Sequence, residues 1–579
     1  MTKTLAHLRS RGLGSLLALV VAGLATGLVG CGGGEGESAG DAATAPPPPS
    51  IEQALDRFRT GDPAGAAEIL EQVTVQDPEN QRAWTLLGWA LRRTDDLEGA
   101  LAAYETATGL SEEARGACYG RAAVLAQLGR VDEALEGLTE LRQEGKYDLS
   151  QLPLDDDFAD LREDPRFGDL LMQPADFEDP LVEPTRVIHE WVGETAGDEF
   201  GWIARNLGDV DGDGVADLAT SAPNYGEAAG RIYAYSGKTG ALLWTADGED
   251  GQLLGQGIEA AGDVDGDGIG DVVAGAPEAN KVVVFGGADG RVLRTFDGHD
   301  GEAFGRKVSD VGDVDGDGHA DLMVGAPRSD LAGEDAGRVV ILSGLDGSTL
   351  IEWRGEVPGA RLGSSGAGAV VDGEIVLVTG APDAGEGQRG RVYVYRGLDP
   401  EPSFVIESDE QGSELGGMFV SVVGDVDADG LVDVYASDWA HEFHGPQTGR
   451  VVVHSLADGS NLLTIHGEAR GDGFGIGPAD AGDVDGDGHA DLVVGAWQQS
   501  NAAPAGGKVY LYSGADGREI RAWTCRVMGD TFGFDATGMG DVDGDGGIDF
   551  LLTSAWSAVR GPKSGRMFLV AGEPPSDEL

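Results

Sequence analysis

A nine-residue acidic pattern, Asp-x-Asp-x-Asp-Gly-x-x-Asp, occurs six times in this chain. Four carboxylates crowded around a glycine turn repel one another unless a cation lies between them, so the pattern predicts a cation-binding loop. The copies begin at residues 209, 263, 313, 425, 483 and 541, so that four intervals are 50 to 58 residues long and one is 112. A repeat of this length constrains the fold even more than the chemistry of the loop does.

The interval of 112 residues is twice the others and predicts a hidden seventh unit between the third and fourth loops. Residues 362–363 and 380–382 carry the flanking Leu-Gly and Gly-Ala-Pro pattern of that unit. Between them, Val-Val-Asp-Gly-Glu-Ile-Val-Leu-Val replaces the acidic loop and retains only Asp372 and Glu374 as acids. We expect this unit to keep the fold and to bind no metal.

Each unit contains four short runs of β-branched and aromatic residues, separated by Gly, Asp and Pro turns. Such runs are typical of strands. Four strands in a period of this length suit the blade of a β-propeller, whose units must repeat several times to bury their faces. Seven units therefore predict an all-β, seven-bladed propeller over residues 185–573.

The two ends of the array predict a closed ring. The last unit stops after its third apolar run, so that its fourth strand must come from elsewhere. The run 186–191 precedes a Phe-Gly pair just as the run 519–523 does. We therefore predict that a strand near residues 185–192 completes the last blade, because closure removes the exposed sheet edges that an open array would carry.

These units resemble the FG-GAP repeats of integrin alpha-subunit propellers. The resemblance is carried by Phe304-Gly305, the loop 313–321 and the Gly-Ala-Pro at 325–327, and it covers about 390 of the 579 residues. It implies that each loop binds Ca²⁺ in the turn between the first two strands of a blade, and that ligands approach the opposite face. Nothing in the chain matches the additional domains of an integrin chain, so receptor signalling is not implied.

An EF-hand or dockerin-type loop is the alternative for the acidic pattern, since it places similar residues ahead of a helix with a Glu at position twelve. Here the ninth Asp is followed by strand sequence such as Leu-Val-Val, which favours the β-type loop. We predict that the side chains at positions one, three, five and nine, and the backbone carbonyl at position seven, bind about six structural Ca²⁺ ions. These ligands are Asp209, Asp211, Asp213, Val215 and Asp217; Asp263, Asp265, Asp267, Ile269 and Asp271; Asp313, Asp315, Asp317, His319 and Asp321; Asp425, Asp427, Asp429, Leu431 and Asp433; Asp483, Asp485, Asp487, His489 and Asp491; and Asp541, Asp543, Asp545, Gly547 and Asp549.

The variety of residues at position seven suits a main-chain ligand. We therefore expect the imidazoles of His319 and His489 to face solvent and not to bind a transition metal.

The chain has 101 acidic and 40 basic residues, for a formal net charge of −61. This charge opposes binding to nucleic acid or to a bare anionic membrane. Two carboxylates about 4 Å apart repel by roughly 4 kcal/mol at an effective dielectric constant near 20. We therefore expect calcium to stabilise the fold.

The first thirty residues predict a lipoprotein signal peptide. Basic residues precede an apolar stretch, and residues 28–31, Leu-Val-Gly-Cys, resemble a bacterial lipoprotein box. The resemblance implies cleavage before Cys31, which then carries the lipid, and Gly32 after it favours the outer membrane of the cell envelope. An uncleaved anchor and a simple secretory signal are the alternatives. Residues 31–50 are rich in Gly, Ala and Pro and predict a tether.

Residues 51–172 predict an all-α domain of tetratricopeptide-type repeats, since apolar residues recur there at helical spacing with a period of 34. We expect a small groove that binds a peptide or a partner protein, or else a spacer between membrane and propeller. The sequence favours neither. The middle repeat has the signature residues Trp84, Leu87, Gly88, Leu91, Ala100, Tyr104 and Ala107.

No convincing catalytic set is present, and the chain is predicted not to be an enzyme. His441 and His444 lie three residues apart in a predicted loop, without the helical four-residue spacing of a zinc protease. Three tryptophans, Trp439, Trp497 and Trp556, replace Gly-Ala-Pro positions in the last three blades. They suggest a stacking rim for a ligand on the face away from the calcium, with packing between blades as the alternative.

These observations favour a calcium-binding, lipid-anchored envelope protein that acts as a non-catalytic binding or adhesion module for a protein or polysaccharide. A carbohydrate-active or phospholipid-cleaving enzyme on a propeller scaffold is the second hypothesis. A purely structural part of an envelope complex is the third.

Overall fold

The computed structural model describes residues 48–573, apart from residues 112, 372, 411 and 412. The chain divides into two compact units, Met1–Leu171 and Met172–Leu579. The predicted signal peptide, Cys31 and most of the predicted tether lie outside the described residues. No helix within the described ranges has the length and apolar character that a bilayer span requires.

In residues 48–171, leaving aside residue 112, the first unit contains six helices of nine or more residues, and each packs on its neighbour in the chain. They form three consecutive pairs, which confirms the predicted helical repeats. Short helical turns follow at Leu152–Leu154, Asp156–Leu161 and Pro165–Gly168. The six helices are α1 (Ile51–Arg59), α2 (Pro63–Gln76), α3 (Gln81–Arg93), α4 (Leu97–Leu110), α5 (Arg115–Gln127) and α6 (Val131–Glu144).

Local chemistry explains where these helices begin and how closely they pack. The Asp62 carboxylate accepts a hydrogen bond from the Gly65 N–H at 2.8 Å and caps α2. A Cβ atom at Gly88 or Gly120 would lie 2.8 or 2.4 Å from the Tyr104 ring. Glycine in α3 and α5 therefore lets the buried Tyr104 of α4 fit between these helices, which gives the signature residues Gly88 and Tyr104 their physical reason.

The second unit is a propeller of seven four-stranded antiparallel sheets, as predicted. Blades one to six use consecutive strands, and blade seven takes its outer strand from the start of the unit. The blades are β2 to β5 (Ala204–Gly208, Asp217–Ala222, Arg231–Tyr235, Leu242–Asp247), β6 to β9 (Gly257–Gly262, Asp271–Ala276, Lys281–Phe285, Val292–Asp297), β10 to β13 (Lys307–Gly312, Asp321–Ala326, Arg338–Leu342, Thr349–Arg354), β14 to β17 (Ser365–Val371, Glu374–Ala381, Arg391–Arg396, Phe404–Glu407), β18 to β21 (Val420–Val423, Asp433–Asp438, Arg450–Ser455, Asn461–His466), β22 to β25 (Phe474–Gly482, Asp491–Ala496, Lys508–Tyr512, Glu519–Thr524), and β26 to β28 with β1 (Ala536–Gly540, Asp549–Ser554, Arg566–Val570, Val187–Val192).

Strand β1 closes the ring. It pairs antiparallel with β28, so that Trp191 lies opposite Met567, and this confirms the predicted strand near residues 185–192. The buried ion pair between Arg205 of β2 and Asp535, at 2.7 Å, joins blade one to blade seven a second time. Residues 173–184, which sequence patterns leave unassigned, also belong to the propeller unit, where Leu181 forms an antiparallel bridge with Cys525.

The paired glycines of the repeat allow neighbouring blades to approach closely. A Cβ atom at Gly275, in the Gly-Ala-Pro of blade two, would lie 1.8 Å from the carbonyl oxygen of Gly305, in the Phe-Gly of blade three. The same contact recurs between Gly325 and Gly363, at 2.2 Å. Any side chain at these positions would push the blades apart, since real Cβ contacts are never this short. The two halves of the motif are thus two sides of one interface between blades.

Candidate metal loops and the opposite face

The six acidic loops connect the first and second strands of six blades and therefore lie on one face of the propeller. In a four-stranded antiparallel blade, the first-to-second and third-to-fourth connections share one end of the sheet. The second-to-third connections and the links between blades lie at the other end. We call these two ends the acidic face and the opposite face.

Backbone amides organise each acidic loop around its first carboxylate. The two oxygens of Asp209 accept hydrogen bonds from the N–H groups of Gly212, at 2.7 Å, and Gly214, at 2.9 Å. Both glycines have a positive φ, of 80° and 86°, which other residues adopt only with strain. The same two hydrogen bonds recur in other acidic loops that have Gly at position four, such as 313–321 and 541–549.

Carboxylates at positions one, three and nine converge. In five loops, one oxygen from each of the three carboxylates lies within 4.8 Å of the other two. Convergent carboxylate oxygens are the ligand type that hard divalent cations such as Ca²⁺ prefer, so the donor set fits the predicted ion. These triads are Asp209, Asp211 and Asp217; Asp263, Asp265 and Asp271; Asp313, Asp315 and Asp321; Asp425, Asp427 and Asp433; and Asp483, Asp485 and Asp491.

The fifth position is arranged differently from the other three. Asp213 does not belong to the triad of its loop, and its Oδ1 atom accepts a hydrogen bond from the Val215 N–H at 3.0 Å. The equivalent bond from the N–H of position seven is made in the remaining five loops. The structure thus gathers three of the four predicted side chains in each named triad and turns the fourth toward its own backbone.

The ninth aspartate ties each loop to the sheet below it. Asp321 is fully buried, and its two oxygens accept hydrogen bonds from the N–H groups of Val314, at 2.8 Å, and Gly344, at 2.9 Å. Burial raises the pKa of the equivalent Asp271, Asp433 and Asp491 to about 6. A cation bound beside these groups would favour the ionised form and oppose that shift.

The two loop histidines, expected to face solvent, are partly exposed, and one ring nitrogen of each contacts the preceding blade. Both imidazoles are half-buried, and the Nδ1 atom of His319 lies 2.8 Å from the carbonyl oxygen of Val264 in the preceding blade. His489 makes the same contact with Val426 at 2.7 Å. That hydrogen bond is the main cause of the raised pKa of His489. Sequence spacing within one loop could not show this contact, because its partner is about sixty residues away in the chain.

Blade four keeps its fold with a different turn. Strands β14 and β15 pair without interruption from Ser365 opposite Gly380 to Val371 opposite Glu374. Glu374 is exposed, and Asp372 lies outside the described residues. The hairpin therefore closes through backbone pairing at the position where the other six blades have an acidic loop.

The three rim tryptophans do not form the single platform that the sequence suggested. Trp497 is only 5% exposed and contacts Trp556 edge-on, with ring centroids 4.9 Å apart. Trp439 makes no ring contact with either of them among the described residues. Trp497 therefore packs between blades, as in the alternative considered above.

Two further aromatic residues join this cluster. Phe534 lies 5.6 Å from Trp497 and 4.8 Å from Trp202, measured between ring centroids. Both Trp202 and Phe534 directly follow a Phe-Gly pair, at the start of a blade. A search for aromatic residues after Phe-Gly would have found them in the sequence. The aromatic cluster, comprising Trp202, Trp497, Phe534 and Trp556, thus joins blades six, seven and one on the opposite face.

The histidine pair singled out in the sequence lies in the connection between β19 and β20, not on a helix. His441 is buried, and its Nε2 atom lies 3.2 Å from a carboxylate oxygen of Glu410. The arrangement does not match the helical zinc-protease site.

The helical unit uses part of its own surface to hold its last segment. Helices α3 and α5 pack on each other, and both contact residues 155–158. The Tyr119 hydroxyl donates to Asp155 at 2.6 Å, and Arg92 forms an ion pair with Asp157. The surface available to a partner is therefore smaller than three repeats alone suggest.

Protein-family comparisons agree with both architectures. A tetratricopeptide repeat model matches residues 51–115 and 95–148, and an FG-GAP repeat model matches residues 200–235, 308–342 and 479–512. The class defined by fold and site is thus a helical-repeat protein with a propeller of FG-GAP repeats.

The propeller has integrin alpha chains among its relatives. It is 32% identical over 206 residues to integrin alpha-E of Mus musculus, which covers 32% of this chain and 17% of that protein. It is 31% identical over 190 residues to integrin alpha-4 of Xenopus laevis, with coverages of 30% and 18%. Integrin alpha-PS2 of Drosophila melanogaster is 33% identical over 164 residues, with coverages of 26% and 11%. The chain matches less than a fifth of each of these proteins.

Proposed function

We propose that this protein is a calcium-stabilised, lipid-anchored binding module of the bacterial cell envelope. Its propeller would hold a protein or polysaccharide partner on the opposite face, without catalysis. The observation that carries the proposal is the separation of the two faces. The acidic loops of six blades lie on one face, whereas connections of about ten residues, 439–449, 497–507 and 556–565, extend from the other.

Calcium is the metal that the donor set favours, because all the converging side chains are carboxylates and none is a thiolate or imidazole. The aspartates would hold the ion, and the ion would supply the positive charge that these crowded carboxylates need. Its role would be structural, since the ninth aspartate connects the loop directly to buried backbone amides.

The anchor is a separate part of the proposal and rests on the sequence around Cys31. Metabolic labelling with palmitate, followed by membrane fractionation of the producing cells, tests it. We expect the wild-type chain to carry label and to sediment with the outer membrane, and Cys31→Ser to lose the label. Label retained by Cys31→Ser would contradict lipidation at this residue.

Binding is tested by affinity capture from envelope extract with the full chain, with calcium and with a chelator. We expect saturable retention of one protein or polysaccharide in calcium and its loss after chelation. Trp439→Ala and Trp556→Ala are suitable face variants, because both side chains are half-buried. Trp497→Ala is unsuitable, since removal of this buried ring would itself disturb the packing of the blades. Absence of any saturable partner in calcium would contradict the proposed function.

A further inference from the structure

Three arginines of blades three and four lie on the opposite face of the propeller. Arg306 directly precedes β10, Arg328 follows β11, and Arg361 lies between β13 and β14. All three therefore belong to the connections at the end of the sheets away from the acidic loops.

The three arginines differ in their partners. Arg361 forms an ion pair with Asp383 and lies 3.7 Å from Glu414. Arg306 and Arg328 are both exposed, and neither guanidinium has an ion pair or a side-chain hydrogen bond within the described part of the chain. The segments that carry them are held together, because the Gly305 N–H donates to the Gly325 carbonyl oxygen and the Arg328 N–H to the Glu302 carbonyl oxygen, both at 3.1 Å. Two cations on neighbouring segments thus remain without an anion among the described residues.

The surroundings of Arg306 are cationic. Loss of hydration lowers its pKa, and the positive charges of Arg328 and Arg361 lower it further. The neighbouring positive charges add to the attraction between Arg306 and an anion that binds there.

An unpaired arginine cluster is unusual in this chain, because acidic residues outnumber basic ones by 101 to 40. The nearby Arg338 shows the ordinary arrangement, with Glu302 at 2.7 Å and Glu352 at 2.8 Å. Single arginines such as Arg470 also lack an ion pair, but Arg306 and Arg328 lie on neighbouring segments, and two such cations together suit an anion from another molecule.

We propose that Arg306 and Arg328 bind the carboxylates of a short acidic segment in a partner protein. The inference rests on the proposed function and names the chemistry of its ligand. A guanidinium presents parallel N–H donors that match the two oxygens of a carboxylate. This site is separate from the tryptophans of the same face.

Two observations favour a protein segment over an acidic polysaccharide. The aromatic cluster lies on blades six, seven and one, away from these arginines, and its rings contact each other edge-on or at a tilt. It therefore offers no flat platform for a sugar ring beside the cations. The net charge of −61 also repels an extended polyanion more strongly than a short acidic segment.

The test measures the fluorescence anisotropy of a fluorescein-labelled hexaglutamate peptide with the full chain in calcium. A salt concentration of about 0.15 M limits the range of charge effects to about 8 Å. We expect saturable binding by the wild type and about tenfold weaker binding by the double variant Arg306→Gln/Arg328→Gln, since each guanidinium contributes charge-assisted hydrogen bonds.

Arg470→Gln is the matched control. Arg470 is exposed on the same face, in the connection between β21 and β22, and has no ion pair among the described residues. Arg470→Gln removes one positive charge, as either single substitution does. We expect it to weaken peptide binding less than about twofold, because Arg306 and Arg328 still contact the peptide. An unchanged melting temperature would show that the double variant remains folded. Arg306→Lys/Arg328→Lys should bind the peptide with intermediate affinity, because lysine keeps the positive charge but cannot present two parallel N–H donors.

Three results would overturn the inference. They are no saturable binding of hexaglutamate, equal binding by the wild type and the double variant, and preferential, arginine-dependent binding of polygalacturonate. The capture experiment separates this failure from failure of the proposed function. A calcium-dependent partner whose retention is unaffected by Arg306→Gln/Arg328→Gln would leave the binding module intact and remove the arginine site.

Discussion

Blades three and four are neighbours that close the same turn in different ways. In blade three, the pairing of β10 with β11 shifts register between Asp310 and Gly312, and buried Asp321 holds the acidic loop that follows. In blade four, β14 and β15 remain in register up to Val371 and Glu374. The blade architecture therefore requires a stable turn at this point but does not require an acidic one.

The difference concerns where the stabilising energy comes from. In an acidic loop, carboxylates take the place of backbone pairing between the strands, and they repel one another until a cation binds. The hairpin of blade four is held by backbone hydrogen bonds alone. Six blades should thus depend on calcium and one should not.

Removal of calcium should have the largest effect. A loop saturated at about one hundred times its Kd contributes about 2.7 kcal/mol to folding, and six loops act together. We expect chelation to lower the Tm of the propeller by on the order of 10 °C or more. Calorimetry with calcium and with chelator measures this shift. The transition of the helical unit serves as the internal control, and an unchanged propeller transition would contradict a structural role for the metal.

Substitution of the ninth residue should separate the two kinds of blade. Asp321→Ala removes the acceptor of two buried N–H groups and should lower the free energy of unfolding by about 2 to 4 kcal/mol. Glu374 begins the corresponding strand of blade four and is exposed. Glu374→Ala should therefore change the free energy of unfolding by less than about 0.5 kcal/mol. Urea denaturation in calcium measures both. Equal losses would show that the two turns do not differ as proposed.

The hairpin turn of blade four depends on backbone conformation. Gly373 has a φ of 80°, and a Cβ atom there would meet no atom within 4 Å. Gly373→Ala should therefore cost about 1 kcal/mol from backbone strain alone, with or without calcium. Gly109→Ala, in helix α4 and equally free of contacts, is the control and should stabilise by about 0.5 kcal/mol. A calcium-dependent effect of Gly373→Ala would argue against a metal-free turn.

The smallest expected effect distinguishes two acidic loops. Arg291 contacts Asp265 of the second loop at 2.5 Å, whereas Ser348 occupies the equivalent turn position beside the third loop. Arg291→Ser removes a competing cation and should raise the calcium affinity of the second loop by about threefold, as for an exposed ion pair. Calorimetric titration measures this affinity. Arg470→Ser, on the opposite face, makes the same charge change and should have no effect.

Most of the fold could be predicted because short sequence patterns define each repeat. The period of the acidic loops counts the blades, and the doubled interval reveals blade four even though Asp372 and Glu374 are its only acids there. Closure by β1 also follows from the sequence, since the run 186–191 stands before Phe-Gly as the other outer strands do.

Part of the candidate site could not be predicted, because it depends on residues far apart in the chain. The contact of His319 with Val264 crosses from one blade to the next, and the approach of Trp202 to Phe534 depends on closure of the ring. The engagement of Asp155 and Asp157 by α3 and α5 likewise requires the helices to be assembled first.

The sequence by itself determined the number of blades, the position of the acidic loops and the helical repeats. Spacing and composition carry that information because strand, turn and metal-loop preferences act over a few residues. Only the tertiary structure decided which side chains meet on the opposite face. Trp497 is buried among aromatic rings, whereas Arg306 and Arg328 stand together without an anion. The physical reason is that burial and ion pairing on this face depend on connections that the fold brings together, and some of them, such as those of Trp497 and Trp556, are separated in the chain by a full repeat.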